Sequence, residues 1–131
     1  MQRMNEAYCK MVATQVDFNG ASKDTPVDVT GMITNPSFEE MDADTQEKVS
    51  SNAGWECNKV HNDLKAEDLV YEMFNIGDVK LYQTVYALPK GYYRLTYNGF
   101  YRGGDVVPAA LTRRDSTEEV LNAKVYVETA S

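Results

Sequence analysis

The clearest alternation of hydrophobic and polar positions lies in residues 78–102 and predicts a β-hairpin. Two runs rich in Val, Leu, Thr and Tyr flank the tetrad Leu88-Pro89-Lys90-Gly91. Its proline suits the second position of a turn, and its glycine accepts a positive φ. In the second run one face carries Tyr93, Leu95, Tyr97, Gly99 and Tyr101, and the other carries Arg94, Thr96, Asn98 and Arg102. The hairpin therefore favours an antiparallel β fold.

Apolar positions near the N-terminus recur with a helical period instead, and they predict a helix over residues 2–17. The stripe consists of Met4, Ala7, Tyr8, Met11, Val12 and Gln15. Asn19-Gly20 is expected to end the helix, because both residues tolerate the left-handed conformation. We interpret residues 1–20 as a helical segment that belongs to a preceding region, and residues 21–28 as a polar linker.

Several short strands with turn signals between them are predicted after the linker. The strands are expected at residues 29–34, 55–57, 69–74 and 120–128, and polar loops at residues 41–54 and 58–68. No helix alternates with these strands, so the pattern is typical of an all-β antiparallel β-sandwich or jelly roll over residues 29–131. The strand-like end of the chain would leave a sheet edge uncovered. We expect a partner chain, a homo-oligomer with an exchanged strand or a further C-terminal part to complete the domain.

Composition and charge narrow the classes of partner. The 131 residues fit one domain with an appendage, and the net charge of −7 argues against nucleic acid and against an anionic membrane surface. No run is long and apolar enough to suggest a membrane-spanning helix, and the N-terminus has no apolar signal core. The chain is therefore interpreted as either an intracellular protein or an excised piece of a longer precursor.

The two cysteines, Cys9 and Cys57, lie far apart in the sequence. A disulfide between them is one alternative, and two partly buried free thiols are the favoured one. They do not form a CxxC motif, and His61 is the single histidine, so a zinc site would lack ligands.

Catalytic chemistry finds little support in the sequence. The carboxylates of Glu39 and Glu40 are adjacent, and neighbouring residues of a strand point to opposite faces, so they do not make an acid–base pair. His61 lies in a polar segment without a nucleophile motif, which favours a solvated loop histidine. Gly103-Gly104 lacks the residues of a phosphate-binding loop. We predict that the chain is not an enzyme.

Aromatic and charged side chains near predicted strand ends indicate a binding role. Trp55 could stack on the apolar face of a sugar ring, or it could plug one end of the sandwich core. Tyr101 and Arg102 end the second run of the hairpin and suit a binding loop, with cross-strand packing as the alternative. Carboxylates at Glu39 and in the acidic segment after it could bind Ca²⁺, although a solvated acidic loop is the ordinary interpretation.

Six short motifs follow one another in an order that resembles a known family. They are Ile33-Thr-Asn-Pro-Ser-Phe-Glu39, Gly54-Trp55, Glu72-Met-Phe-Asn75, Leu81-Tyr-Gln-Thr-Val85, Leu88-Pro-Lys-Gly91 and Tyr93-Arg-Leu-Thr-Tyr-Asn-Gly-Phe-Tyr-Arg102. The pattern resembles the galactose-binding-domain-like β-sandwich modules, of the carbohydrate-binding type, in secreted or cell-surface proteins of gut bacteria. The resemblance implies a non-catalytic jelly roll of eight or nine strands beside other domains of one precursor. It also implies a structural Ca²⁺ that Glu39 helps to bind.

The leading hypothesis is a non-catalytic carbohydrate-binding or cell-surface adhesion module whose ligand-facing residues are Trp55, Asn75, Tyr101 and Arg102. A structural spacer without a ligand is the first alternative, and an accessory part of a glycoside hydrolase is the second. A binder requires Trp55 and Tyr101 to be exposed at one end or on one surface of the sandwich, whereas a spacer requires them to be buried.

Overall fold

The computed structural model describes residues 2–61, 64–74, 76–99 and 123–129. The chain divides into two compact units, of which the first ends at Gly91 and the second begins at Tyr92. In the first unit the regular elements are α1 (Gln2–Ala13), 3-10 helices at Phe18–Gly20 and Thr30–Met32, and strands β1 (Glu39–Met41), β2 (Lys48–Ser50), β3 (Glu56–Cys57), β4 (Leu64–Glu67), β5 (Val70–Met73) and β6 (Leu81–Tyr82). Residues 92–99 and 123–129, which are described in the second unit, carry neither helix nor strand.

The predicted N-terminal helix is confirmed, but its end is wrong. Helix α1 stops at Ala13, and Asn19-Gly20 lies in the first 3-10 helix. The carboxylate of Asp17 accepts hydrogen bonds from the N–H groups of Asn19 and Gly20, at 3.1 and 3.3 Å. Short polar side chains offer the backbone such partners in place of a continued helix, so Asp17 caps a separate turn.

The first predicted strand, over residues 29–34, is wrong: the chain forms the second 3-10 helix there. Asp28 accepts a hydrogen bond from the N–H of Thr30 at 2.8 Å. The hydroxyl and the N–H of Thr30 hold the pKa of Asp28 below its ordinary value. This local hydrogen bond favours a turn over the predicted strand. This 3-10 helix points Met32 inward. Among the described residues, Met32 and Cys9 of α1 are the fully buried apolar side chains.

Strands β1 and β2 form a hairpin in which Glu40 lies opposite Val49. The loop predicted over residues 41–54 is therefore wrong at β2. Asp42 organises the connection, because its Oδ1 accepts hydrogen bonds from the N–H groups of Asp44 and Thr45 at 3.0 and 2.8 Å. The N–H and the hydroxyl of Thr45 lower the pKa of Asp42.

The other two sheets are β3–β6 and β4–β5, both antiparallel. The extended piece at residues 55–57 and the strand at residues 69–74 are confirmed as β3 and β5, whereas the loop over residues 58–68 is wrong at β4. β6, which lies in the first run of the predicted hairpin, pairs with β3, and residues 92–99 form no strand. Within the described residues, the two runs of the predicted hairpin are therefore not strands of one ladder. The sandwich, its domain bounds and its completion by a partner stay predictions.

The turn between β4 and β5 offers a stabilising substitution. Asp68 and Leu69 have φ values of 51° and 60°, and a two-residue hairpin turn with two positive φ angles favours Asn-Gly. Leu69 is 40% exposed, so little burial compensates for its backbone strain. We expect Leu69→Gly to raise the free energy of unfolding by about 0.5–1 kcal/mol in urea denaturation. Leu69→Ala keeps the strain and should give no such gain; an equal gain would contradict this explanation.

Candidate functional site

The turn at Asn35 fixes the position of Trp55. Asn35 has a φ of 48°, a left-handed conformation that asparagine tolerates better than most residues. Its carbonyl oxygen accepts hydrogen bonds from Trp55 Nε1–H at 2.8 Å and from the N–H of Phe38 at 3.3 Å. Its side chain donates to the Ser51 carbonyl and accepts from the N–H of Glu39, both at 2.8 Å. Asn35 therefore joins Trp55 to β1 and to the end of β2.

Three aromatic rings pack beside this turn. The ring centroids of Phe38 and Trp55 are 5.0 Å apart, and those of Phe38 and Tyr71 are 5.5 Å apart, with tilted planes in both pairs. All three side chains are half-buried. Burial raises the pKa of Tyr71, and the neighbouring Cys57 thiol adds to this effect. Such ring pairs contribute roughly 0.5–1.5 kcal/mol each beyond their buried area, so Phe38 anchors Trp55 on one side.

Gly54 has no room for a side chain. It has a φ of 84°, and a Cβ atom there would lie 2.5 Å from Cγ2 of Thr34. Thr34 is held in turn by the carboxamide of Gln83, which accepts from the Thr34 N–H at 2.9 Å and donates to its carbonyl at 3.0 Å. The Gln83 side chain thus makes the pair of hydrogen bonds that the backbone of a neighbouring strand would make to Thr34. We call Asn35, Phe38 and Gly54 the Trp55 seat.

A groove of about 240 Å³ lies next to the Trp55 seat and shares Gly54 with it. Its other lining residues are Met4, Asn5, Tyr8 and Thr34. Asn5 Nδ2 donates to the Thr84 carbonyl at 2.7 Å, and the Tyr8 hydroxyl donates to the Gly31 carbonyl at 2.9 Å. These polar groups stabilise the packing of α1, so the groove offers mainly apolar surface.

The sequence-predicted site residues fall into two groups. Trp55 and Glu39 are described and half-buried, whereas Asn75, Tyr101 and Arg102 lie outside the described residues. The half-buried Trp55 therefore matches neither the exposed ring expected of a binder nor the buried ring expected of a spacer. Cys9 and Cys57 are both free thiols.

The predicted Ca²⁺ ligand Glu39 already has a cationic partner. Its Oε1 lies 2.7 Å from Nζ of Lys48, and its side chain is 24% exposed. A cation at Glu39 would have to share the carboxylate with the Lys48 ammonium group or displace it. Within the described ranges, no group of three or more His, Cys, Asp or Glu side chains could hold a metal ion. The Ca²⁺ site stays a prediction.

Sequence reasoning missed the long-range contacts that hold the Trp55 seat in place. The Asn35-Pro36 dipeptide predicted a turn, and the turn is present. Two contacts join distant parts of the chain, that of Phe38 with Tyr71 and that of Gln83 with Thr34. No local sequence pattern predicts either of them.

Comparisons of the chain with protein-family models, with curated proteins and with solved structures found no match. The part of the chain that the structure describes contains no helix with the length and apolar character needed to cross a membrane. Function is therefore inferred from the Trp55 seat and from the motifs around it.

Proposed function

We propose that the chain is a non-catalytic carbohydrate-binding or cell-surface adhesion module of a larger secreted protein, with the galactose-binding-like jelly roll as its fold. One observation supports this most. Trp55 is half-buried, so part of its surface meets solvent while Asn35 and Phe38 hold it in place. A ring that is already ordered loses little conformational entropy when a ligand packs on it.

The ring chemistry of Trp55 suits a sugar. The apolar face of a pyranose packs well on an aromatic surface, and polar side chains then set its orientation. Asn75, Tyr101 and Arg102 remain the proposed polar and aromatic partners. The net charge of −7 repels anionic ligands, so we expect neutral glycans to bind more tightly than glycans that carry carboxylates or sulfates.

A structural spacer without a ligand is the second proposal, and the same contacts support it. The packing of Trp55 against Phe38 and its hydrogen bond to Asn35 would also serve a ring that only closes one side of the domain. The two proposals differ in whether the solvent-facing part of Trp55 meets a ligand.

A glycan array separates the two proposals. The wild type should bind one or more neutral glycans, and Trp55→Ala should weaken that binding by at least about tenfold, or ~1.4 kcal/mol. Tyr92→Ala is the matched control, because Tyr92 is a fully exposed aromatic residue, at 106%, and is not among the proposed ligand-facing residues. It should bind like the wild type.

Circular dichroism and thermal unfolding establish that each variant is folded before it is applied to the array. A folded wild type that binds no glycan would contradict the binder and favour the spacer. Equal binding by folded Trp55→Ala and by the wild type would remove Trp55 from the site.

A further inference from the structure

The polar atom of the Trp55 side chain is already committed within the protein. Indole carries one hydrogen-bond donor and no acceptor. In Trp55 this donor meets the Asn35 carbonyl oxygen at 2.8 Å. A ligand could take the N–H only by breaking that bond within a half-buried cluster, where a lost hydrogen bond is not freely replaced by water.

The orientation of the Asn35 carbonyl depends on the left-handed backbone of that residue. The side chain of Asn35 spans the turn, because it is bonded to Ser51 on one side and to Glu39 on the other. The φ of 48° is open to glycine and asparagine, but a β-branched residue strongly disfavours it. The backbone conformation, rather than the amide group as such, aims the carbonyl at Trp55.

We propose that Asn35 is a positioning residue whose left-handed backbone holds the indole N–H, so that Trp55 contacts a ligand through its ring surface alone. The ligand part rests on the proposed function, whereas the positioning part does not. Hydrogen bonds to the ligand then come from residues other than Trp55. The ligand surface against Trp55 is one of C–H groups, as on the apolar face of a hexopyranose.

The positioning part is tested by NMR on the indole N–H, which gives one resonance because Trp55 is the single tryptophan. In the wild type, hydrogen exchange of this N–H should be slower than in free tryptophan by about tenfold or more, the factor expected for one neutral hydrogen bond. Exchange as fast as in free tryptophan would overturn the proposal, and this measurement needs no variant.

Two substitutions then separate backbone conformation from side-chain bonding. Asn35→Gly keeps access to positive φ but loses the side-chain bonds to Ser51 and Glu39. The indole N–H of Trp55 should therefore stay protected from exchange in this variant, although the free energy of unfolding falls. Asn35→Val disfavours positive φ and should lose the protection. Its tryptophan emission should also shift to longer wavelength. Asn19→Val, at an exposed asparagine in the first 3-10 helix, is the control and should resemble the wild type. Protection retained in Asn35→Val, or lost equally in Asn35→Gly, would overturn the proposal.

The ligand part is tested by titrating the wild type with methyl β-galactopyranoside and methyl β-glucopyranoside. A glycoside that binds should shift the ring C–H resonances of Trp55 and leave its N–H exchange as slow as before. Binding that removes the N–H protection would overturn recognition through the ring surface. Failure of the folded chain to bind any glycan would overturn the ligand part together with the proposed function, while the Asn35→Gly and Asn35→Val comparison still decides the positioning part.

Discussion

Gly54→Ala is expected to lower the free energy of unfolding by about 3 kcal/mol. An alanine at a φ of 84° costs roughly 1–2 kcal/mol in backbone strain. Its Cβ would also lie 2.5 Å from Cγ2 of Thr34, and overpacking of this kind costs about 1–3 kcal/mol. Thr34 cannot move away freely, because Gln83 holds both its N–H and its carbonyl. Urea denaturation measures the loss.

Gly77→Ala is the matched control for that substitution. Gly77 is exposed, and a Cβ atom there would lie 4.0 Å from Nζ of Lys59, which is ordinary contact. Its effect should stay within about 0.5 kcal/mol. Equal effects of the two substitutions would contradict the close approach of Thr34 to Gly54.

Met32→Ala is expected to lower the free energy of unfolding by a similar amount, about 3 kcal/mol. Met32 is 1% exposed and packs against α1. Its carbonyl oxygen also accepts a hydrogen bond from the Cys9 thiol at 3.6 Å. Truncation to alanine removes apolar burial and leaves a cavity between α1 and the second 3-10 helix. Thermal and urea unfolding, followed by circular dichroism, measure the loss.

Met11→Ala provides the comparison on α1 itself. Met11 is 54% exposed and alanine favours helices, so the change should stay within about 0.5 kcal/mol. A loss in Met11→Ala as large as that in Met32→Ala would contradict the packing of α1 on the second 3-10 helix.

Local patterns predicted α1 through its helical period and β5 through its β-branched and aromatic residues, Val70 and Tyr71. The failures arose where local polar caps or tertiary contacts override the pattern. Asp17 and Asp28 create 3-10 turns in place of a longer helix and a first strand. β2 contains a lysine, and β4 contains a lysine and a glutamate; the presence of these residue types in strands depends on the neighbouring strand rather than on intrinsic preference.

The candidate site was predictable only in its local parts. The dipeptide Asn35-Pro36 predicted a turn, and the position of Trp55 beside Gly54 indicated an aromatic side chain at a loop boundary. The bond from Gln83 to Thr34 joins residues separated by 49 positions, and the ring contact of Phe38 depends on Tyr71 of β5 lying beside it. Such contacts follow from the folded arrangement and leave no periodic signal in one sequence.

Quenching of Trp55 fluorescence by acrylamide tests most directly whether a glycan contacts this residue. The measurement uses the wild-type chain, and its signal comes from one tryptophan. We predict that a saturating concentration of the best neutral glycan on the array lowers the quenching constant, because the sugar covers the solvent-facing part of the ring. A glycan that binds the folded chain and leaves quenching unchanged would contradict the account.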